Sequence, residues 1–450
     1  MITHGRSPVT ILGRSLGLTL LCAMQARAQA RPATGPALRP AYERLLEQIE
    51  KIPIFDHHAH PGFFDDPDVD AMVIPPSHLA LRLRDTNPEL IAAARSLFGY
   101  PYRDLASAHE AWLAKQKAEL QKQQGRAYFN TILDRLNVET SLANRTAMAD
   151  YLDPARFRWV FFVDSFLFPF DNSAVAARNP DEASYMPLQD KMLRRYMKQD
   201  GLTALPPGLD RYLAFISRVL VENQQHGGIA MKFEAAYFRS LHFGDPPRAV
   251  AEAVYAKYRS GGVPELQEYA DFQDFIFRYL IREGGRLHLP VHFHSSVGAG
   301  DYFSLNEGNV LNLENVLRDP RYLQTTFVLL HGGYPYLRQV IWLAAMKNVY
   351  LDTSGTVLTL YPEEFKRLLR LWLETYPEKI TYGSDAFPYN AALGAEESDW
   401  LAVHSTREAL AEALAEMVDE GEINEPEALR FAHMYLHDTA ASLYPLLAAR

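Results

Sequence analysis

The sequence predicts a (β/α)₈ barrel of the TIM type. Eight short apolar, β-rich runs recur along the chain, polar residues follow most of them, and helical patterns lie between or after them. Strands that alternate with helices indicate a parallel sheet built from βαβ units. A doubly wound open sheet is the alternative, but no glycine-rich phosphate turn follows any of the runs. The runs are residues 52–55, 139–143, 157–163, 229–233, 289–294, 326–331, 349–352 and 379–385.

The elements differ in how clearly the sequence marks them. The third run, Phe157-Arg-Trp-Val-Phe-Phe-Val163, is the most aromatic, whereas the second, residues 139–143, has the weakest strand pattern. Hydrophobic periodicity between or after the runs predicts helices. These cover residues 105–123, 209–225, 266–283, 336–346, 363–375 and 405–417.

Two connections are longer than a barrel needs. They are residues 61–138, after the first run, and residues 165–226, after the third, and both have helical patterns with many aromatic residues. Loops that follow barrel strands lie over the active-site mouth. We therefore predict one barrel domain over residues 50–450, with these two insertions forming a helical cap.

Residues 1–30 have the pattern of a signal peptide. Arg6 and Arg14 precede a short uncharged run, residues 16–24, and small residues follow at the cleavage positions, in Ala26-Arg-Ala28 and Ala28-Gln-Ala30. The apolar run is too short to span a bilayer. A proline-containing linker and an N-terminal helix are predicted over residues 31–49.

Cleavage of this peptide removes Cys22, the only cysteine in the chain. A chain without thiols suits an oxidising compartment. We therefore expect a periplasmic or secreted protein with no membrane contact after cleavage.

The composition narrows the classes of function. The chain has 450 residues, of which 45 are basic and 55 acidic, and the formal net charge of −10 argues against nucleic-acid binding. The expected partner is a small-molecule substrate. With one cysteine, a metal has to be held by His, Asp, Glu or Lys.

Histidines and an aspartate end several of the predicted strands. His58 and His60 follow the first run, and side chains two apart on a strand share a face. A His-x-His pair alone is weak evidence for a metal site. However, potential ligands also end three other runs, as His292-Phe-His294, His331 and Asp385. Convergent imidazoles and a carboxylate suit zinc.

Lys232 interrupts the apolar run 229–233. A buried lysine needs a partner that offsets its desolvation, or it changes its chemistry. One solution is carboxylation to a carbamate that bridges two metal ions. The other is an ion pair with a nearby carboxylate.

The chain resembles the amidohydrolase superfamily of metal-dependent hydrolases. The likeness is greatest to the branch that includes aromatic-acid decarboxylases and the amidohydrolase-like domain fused to glutamine synthetase-like enzymes. It covers about residues 50–445. The motifs are Asp56-His-His-Ala-His60, Met231-Lys-Phe233, Pro290-Val-His-Phe-His294, Val328-Leu-Leu-His-Gly-Gly-Tyr-Pro335 and Tyr382-Gly-Ser-Asp385, with Ala440-Ala-Ser-Leu-Tyr444 resembling a closing helix.

The resemblance implies a set of ligands. His58 and His60 would bind the more buried metal, and Lys232, if carboxylated, would bridge it to a second metal held by His294 and His331. Asp385 would bind metal and handle the proton of the attacking water. With a single metal, His331 would instead polarise the substrate.

The resemblance also implies the chemistry. Zinc lowers the pKa of bound water to about 7, which makes hydroxide available for attack on a carbonyl carbon. The expected function is hydrolysis of an amide, ester or lactone bond in a small molecule. Metal-dependent decarboxylation of an aromatic or related acid is the alternative, and it uses the same ligands. Manganese, iron or nickel would also suit these ligands.

Three further residues are candidates for substrate binding. Tyr237 and Arg239 follow Lys232 in the loop above the site, where Arg239 could hold a carboxylate through two hydrogen bonds or pair with an acidic residue. His292 shares the face of His294 one step deeper, so it also fits a donor to a ligand or a packed core residue. His57 is expected to point away from its neighbours. Asp56 could orient an imidazole or cap a turn.

Overall fold

The computed structural model of the protein describes residues 40–69, 79–295, 298 and 300–444. They contain an eight-stranded sheet in which each strand pairs in parallel with the next one along the chain. The predicted (β/α)₈ barrel is confirmed. The strands are β1 (Ile54–Ala59), β2 (Val138–Asn144), β3 (Phe157–Phe162), β4 (Gly228–Phe233), β5 (Val291–Phe293), β6 (Phe327–Leu329), β7 (Val349–Asp352) and β8 (Ile380–Thr381).

Backbone hydrogen bonds join the last strand to the first. His57 N donates to Tyr382 O at 2.9 Å, and Asp385 N donates to His58 O at 2.7 Å. These bonds curl the sheet into a nearly closed barrel. The contact between the two ends of the sheet therefore lies at the histidines of β1.

Helices separate the strands along the chain. Among the described residues, three α-helices lie between β1 and β2 and three more between β3 and β4, in the two connections predicted to form a cap. The α-helices are α1 (Pro40–Ile49), α2 (Glu89–Phe98), α3 (Ser107–Gln124), α4 (Tyr128–Leu136), α5 (Ser173–Ala176), α6 (Tyr185–Gln199), α7 (Leu209–Gln225), α8 (Arg248–Tyr258), α9 (Leu266–Leu287), α10 (Glu314–Leu317), α11 (Leu337–Val340), α12 (Thr356–Thr359), α13 (Pro362–Thr375), α14 (Ala395–Asp419), α15 (Glu425–His433) and α16 (Thr439–Ser442).

β1 extends further than the sequence predicts. It runs to Ala59, so the histidines His57 and His58 belong to the strand itself, and all six of its residues are buried. The register between β1 and β2 shifts between Asp56 and Ala59. Such an irregularity re-aims side chains and relaxes their strict alternation between the two faces.

An apolar cluster separate from the main core fills the barrel beneath the histidines. Its members include Phe55, Leu142, Val160, Ala230, Val328, Leu443 and Tyr444. The Tyr444 ring stacks on Phe55, with centroids 5.9 Å apart and planes 5° apart. Because Phe55 precedes the histidines on β1, the carboxy-terminal segment that carries Tyr444 enters the barrel from below them and forms its floor.

The predicted signal peptide, residues 1–30, and the linker that precedes α1 lie outside the described residues. Within the part of the chain that the structure describes, no helix is both long and apolar enough to cross a membrane.

Candidate metal centre

His58 and His60 face the same point inside the barrel. Their Nε2 atoms are 3.3 Å apart, and their rings lie nearly at right angles, at 88°. The i, i+2 spacing at the end of β1 therefore brings the two imidazoles together, as the sequence predicts.

Asp385 completes this group from the turn after β8. Its backbone has a φ of 57°, in the left-handed region, and its Oδ1 atom lies 3.2 Å from His58 Nε2 and 3.4 Å from His60 Nε2. Asp56 holds the turn, because its carboxylate accepts hydrogen bonds from the backbone N–H and the hydroxyl of Ser384, both at 2.8 Å. Asp56 thus holds the turn after β8, which is distant in sequence, whereas the sequence suggested that it orients an imidazole or caps the turn that directly follows it.

The spacing of these three donor atoms fits a divalent metal ion. Their pairwise distances are 3.2, 3.3 and 3.4 Å. Ligands bound tetrahedrally to zinc at about 2.0–2.1 Å stand about 3.3–3.4 Å from one another. The side chains of His58, His60 and Asp385 are thus arranged as three ligands of one ion.

The electrostatic environment keeps these groups in their metal-binding protonation states. Burial, together with the charge of Lys232, lowers the pKa of His58 well below its ordinary value and also lowers that of His60. Burial raises the pKa of Asp385, but His331, His58 and His60 outweigh it, and this pKa lies well below the ordinary range. Neutral imidazoles and an ionised carboxylate are the forms that bind a metal.

Lys232 is buried in β4 beside this group. Its Nζ atom lies 2.8 Å from Glu234 Oε1 and 3.4 Å from His58 Nε2. Asp164 is close by, since both of its oxygens accept the backbone N–H of Glu234, at 2.9 and 3.0 Å. Burial and the charge of Glu234 raise the pKa of Asp164 to about 8. Lys232 therefore lies within ion-pair distance of Glu234.

His331 lies on the other side of Asp385. Its Nδ1 atom is 3.7 Å from Asp385 Oδ2, 3.0 Å from the carbonyl O of Ser354 and 3.1 Å from Ser354 Oγ. The carbonyl can only accept, so Nδ1 carries the proton. In the form with a single ring proton, His331 therefore presents a bare Nε2, which accepts a hydrogen bond and does not donate one. Potential ligand atoms of His331, His58 and Asp385 lie within 4.8 Å of one another.

His294 and Tyr237 continue the site from His331. His294 Nδ1 lies 3.0 Å from His331 Nε2, and the Tyr237 ring packs against the His294 ring at a centroid distance of 4.5 Å. The structure thus brings together the two histidines expected to share a second metal. Tyr237 lies beside them, at the place where a substrate-binding residue is expected.

His292 lies deeper, in contact with the floor of the barrel. Its Nε2 atom is 2.8 Å from the Tyr444 hydroxyl, which also bonds to His57 Nε2. His57 Nδ1 is 3.2 Å from Asp352 Oδ2. The expected substrate contact of His292 is wrong, because this side chain is fully buried and directed at Tyr444. His57, expected to point away from its neighbours, contacts Tyr444 and Asp352 through its two ring nitrogens, on the side of the barrel that Phe55 occupies two residues earlier on β1.

Arg239 is not directed at the histidines. Its guanidinium pairs with Asp274 at 2.5 Å and donates to Gln273 Oε1 at 3.0 Å, and its side chain is buried. The expected substrate carboxylate clamp is therefore wrong. Of the two alternatives, pairing with an acidic residue is the one observed, although at a buried position.

Four residues of the site were missed by sequence reasoning: Asp164, Glu234, Ser354 and Tyr444. Asp164 and Glu234 each follow a predicted strand directly, so the rule that found Asp385 could have found them. Ser354 stands two residues after Asp352, in the turn after β7. No local pattern marks Tyr444, because its position depends on the packing of the carboxy-terminal segment.

Comparison with known sequences connects the chain to one family. Residues 224–446 match the sequence model of a family described as amidohydrolases. The protein fluG of Emericella nidulans is 29% identical over 161 residues, which make up 35% of this chain and 17% of that protein. The match thus spans about a sixth of the length of this relative.

Solved structures share the fold over most of the chain. A proposed metal-dependent hydrolase from Lactobacillus casei aligns with a TM-score of 0.58 and 17% identity, over 90% of this chain and 98% of the other. The uronate isomerase of Thermotoga maritima aligns with a TM-score of 0.57 and 13% identity, over 90% of this chain and 97% of the other. At these identities the likeness concerns the fold.

Proposed function

Because the chain belongs to the amidohydrolase superfamily of metal-dependent enzymes, we propose that it is a hydrolase that cleaves an amide, ester or lactone bond of a small molecule. The observation that carries this proposal is the spacing of His58, His60 and Asp385, whose donor atoms lie 3.2–3.4 Å apart. The second oxygen of Asp385 faces His331. One carboxylate is therefore placed both to hold an ion and to exchange a proton.

His58, His60 and Asp385 would hold one divalent ion, for which zinc is our proposal. A divalent ion at this site supplies Lewis-acid chemistry, which activates water and polarises a carbonyl group. Asp385 Oδ2 accepts the proton of the attacking water and returns it to the leaving group. Burial of the site strengthens each of these electrostatic contacts.

His331 assists as an acceptor. Its Nδ1 proton is donated to Ser354. Its Nε2 atom, which faces His294, is then free to accept a hydrogen bond or a proton. This differs from the role that the single-metal alternative implies, because polarising a carbonyl group would require a donor at that atom. Tyr237, packed on His294, would form one wall of the substrate site.

We propose that Lys232 remains an ammonium group. Glu234 lies 2.8 Å from its Nζ atom, and Asp164 is hydrogen-bonded to the backbone of Glu234. Carboxylation would convert the cation into an anion beside buried carboxyl groups, which carries a high electrostatic cost. An ammonium group cannot bridge two metal ions, so we propose one metal ion per chain.

We further propose that the protein is exported. The support is the pattern of residues 1–30, with Arg6 and Arg14 before a short apolar run. Mass spectrometry of protein expressed with its full chain should show an amino terminus near Ala28 or Ala30. An intact amino terminus in the secreted or periplasmic fraction would contradict cleavage.

The function can be tested by a substrate screen on metal-free and reloaded enzyme. The protein is stripped with a chelator, reloaded with zinc, manganese, iron or nickel, and assayed against amides, esters and lactones. We expect turnover that returns only with metal. Carbon dioxide release from aromatic acids, or conversion of uronates, without any hydrolysis would overturn the proposal.

A further inference from the structure

The hydroxyl group of Tyr444 links two histidines inside the barrel. It bonds to His57 Nε2 and lies 2.8 Å from His292 Nε2. The three side chains come from β1, β5 and the carboxy-terminal segment, and each is at most 1% exposed. A hydroxyl has one proton, so it donates to one imidazole and accepts from the other.

The protonation of His292 fixes the direction of this pair of bonds. Among the described residues, its Nδ1 atom has no hydrogen-bond partner. An unsatisfied N–H group buried there would carry a large desolvation penalty, so Nδ1 is the bare nitrogen. Neutral His292 then carries its proton on Nε2 and donates to Tyr444, and Tyr444 donates to His57.

The chain of bonds continues upward from His57 to the candidate metal centre. His57 receives the Tyr444 proton at Nε2, so its own proton is on Nδ1, which donates to Asp352 Oδ2 at 3.2 Å. The other oxygen of Asp352 accepts the hydroxyl of Ser354 and its backbone N–H at 2.9 Å. It also accepts the backbone N–H of His331 at 3.3 Å.

Ser354 transmits this orientation to the imidazole of His331. Its hydroxyl proton is donated to Asp352, so its oxygen can only accept toward His331 Nδ1, 3.1 Å away. The serine carbonyl accepts from the same nitrogen at 3.0 Å. Both contacts select the form of His331 that has a proton on Nδ1 and a bare Nε2.

We propose that Tyr444 is a positioning residue, which acts from the floor of the barrel through His57, Asp352 and Ser354 to hold His331 with its bare Nε2 in the site. The importance of this orientation for turnover rests on the proposed function, whereas the proton arrangement itself does not. Barrel interiors are normally filled by branched apolar side chains. A fully buried tyrosine, two histidines and an aspartate carry a desolvation cost that apolar packing would avoid.

The proton arrangement can be measured without a substrate. Protein labelled with ¹⁵N-histidine reports each imidazole form through two-bond ¹H–¹⁵N correlations, which single His→Gln variants assign. We expect Nδ1–H for His57, Nε2–H for His292 and Nδ1–H for His331. A proton on His292 Nδ1, or a doubly protonated His57, would overturn the proposal in the unaltered protein.

Tyr444→Phe removes only the hydroxyl that joins the histidines. We expect the His57 signal to change toward a mixture of both forms, because Nε2 loses the hydroxyl that donates to it. The His331 signal should keep its Nδ1–H form but shift in position, since the contacts that hold its ring through Asp352 and Ser354 are loosened. We expect kcat to fall at least about tenfold with KM within about twofold, since geometry near reacting atoms controls kcat. The content of zinc per chain should not change. Tyr255→Phe is the matched control, because it also removes a buried hydroxyl, which donates to Pro206 O at 2.8 Å.

The two readouts separate this proposal from the proposed function. An unchanged His331 signal in Tyr444→Phe would overturn the positioning role whatever happens to activity. Equal losses of kcat in Tyr444→Phe and Tyr255→Phe would do the same, because they would indicate a general packing effect. If the unaltered enzyme hydrolyses nothing, the imidazole signals still decide whether Tyr444 acts on the position of His331.

Discussion

Asp385 Oδ1 lies 3.2 Å from His58 Nε2, although the two residues come from opposite ends of the sheet. The same two residues share a backbone hydrogen bond, from Asp385 N to His58 O at 2.7 Å, that helps close the barrel. A ligand held by these side chains would therefore span the seam between β8 and β1. We therefore expect metal binding and barrel stability to be coupled through this seam.

Removal of the metal should accordingly destabilise the fold. A ligand present at 100 times its Kd stabilises a protein by about 3 kcal/mol. We expect a lower Tm in calorimetry after chelation and recovery when zinc is added back. Equal melting curves for the two forms would contradict a site that spans the seam.

Asp385→Asn should abolish most of the activity and leave the fold intact. The amide keeps the shape of the side chain but cannot accept a proton, and loss of a general base costs about 10²–10⁴-fold in rate. The measurements are kcat and circular dichroism. Asp210→Asn, at a site whose side chain is 80% exposed, is the control. Activity near that of the control would remove Asp385 from the mechanism.

Lys232 should contribute more to stability than to metal content. Lys232→Met leaves buried Glu234 without its partner 2.8 Å away, and breaking a buried pair costs about 3–5 kcal/mol. Adding Glu234→Gln should restore part of that loss. The free energy of unfolding and the metal content are measured for both variants. A folded Lys232→Met protein that loses its metal would instead support a bridging carbamate.

Glu182 should make the stability depend on pH. Burial, together with Glu234 and Asp181, raises the pKa of Glu182 from 4.5 to about 7. Because the pKa is higher in the folded state, the contribution of this group is present below about pH 4.5 and is lost as pH rises through about 7. Glu182→Gln should therefore match the unaltered protein at pH 4.5 and exceed its stability at pH 8.

The gain at pH 8 should not exceed about 3 kcal/mol, the equivalent of this difference in pKa. Unfolding in urea at both pH values measures it. Glu252→Gln, on the exposed side of α8, should give equal stability differences at the two pH values. Equal stability differences at the two pH values for Glu182→Gln would contradict the prediction, because they would mean that folding does not raise the pKa of Glu182.

The barrel and the histidines of the site could be predicted from sequence because both depend on local patterns. His58, His60 and Asp385 follow apolar runs, and parallel strands bring such positions to one end of a barrel. The ion pair of Lys232 with Glu234 is also local in sequence, because Glu234 directly follows β4, although the sequence analysis did not name Glu234 as the partner.

The rest depends on contacts that no local pattern reveals. His57 contacts Asp352, which lies 295 residues further along the chain. Arg239 forms an ion pair with Asp274, which lies on α9. Tyr444 reaches His292 from the carboxy-terminal segment. In each case the partner is distant in sequence, and the fold has to be known before the partner can be named.

The most direct test of the account is the metal content per chain, measured by elemental analysis on protein purified without chelators. We expect close to one divalent ion per chain, and almost none in His60→Ala, whose Nε2 atom lies 3.4 Å from Asp385 Oδ1 in the unaltered protein. No metal after soaking with zinc or manganese would contradict the site formed by His58, His60 and Asp385. Two ions per chain would contradict the ammonium form of Lys232.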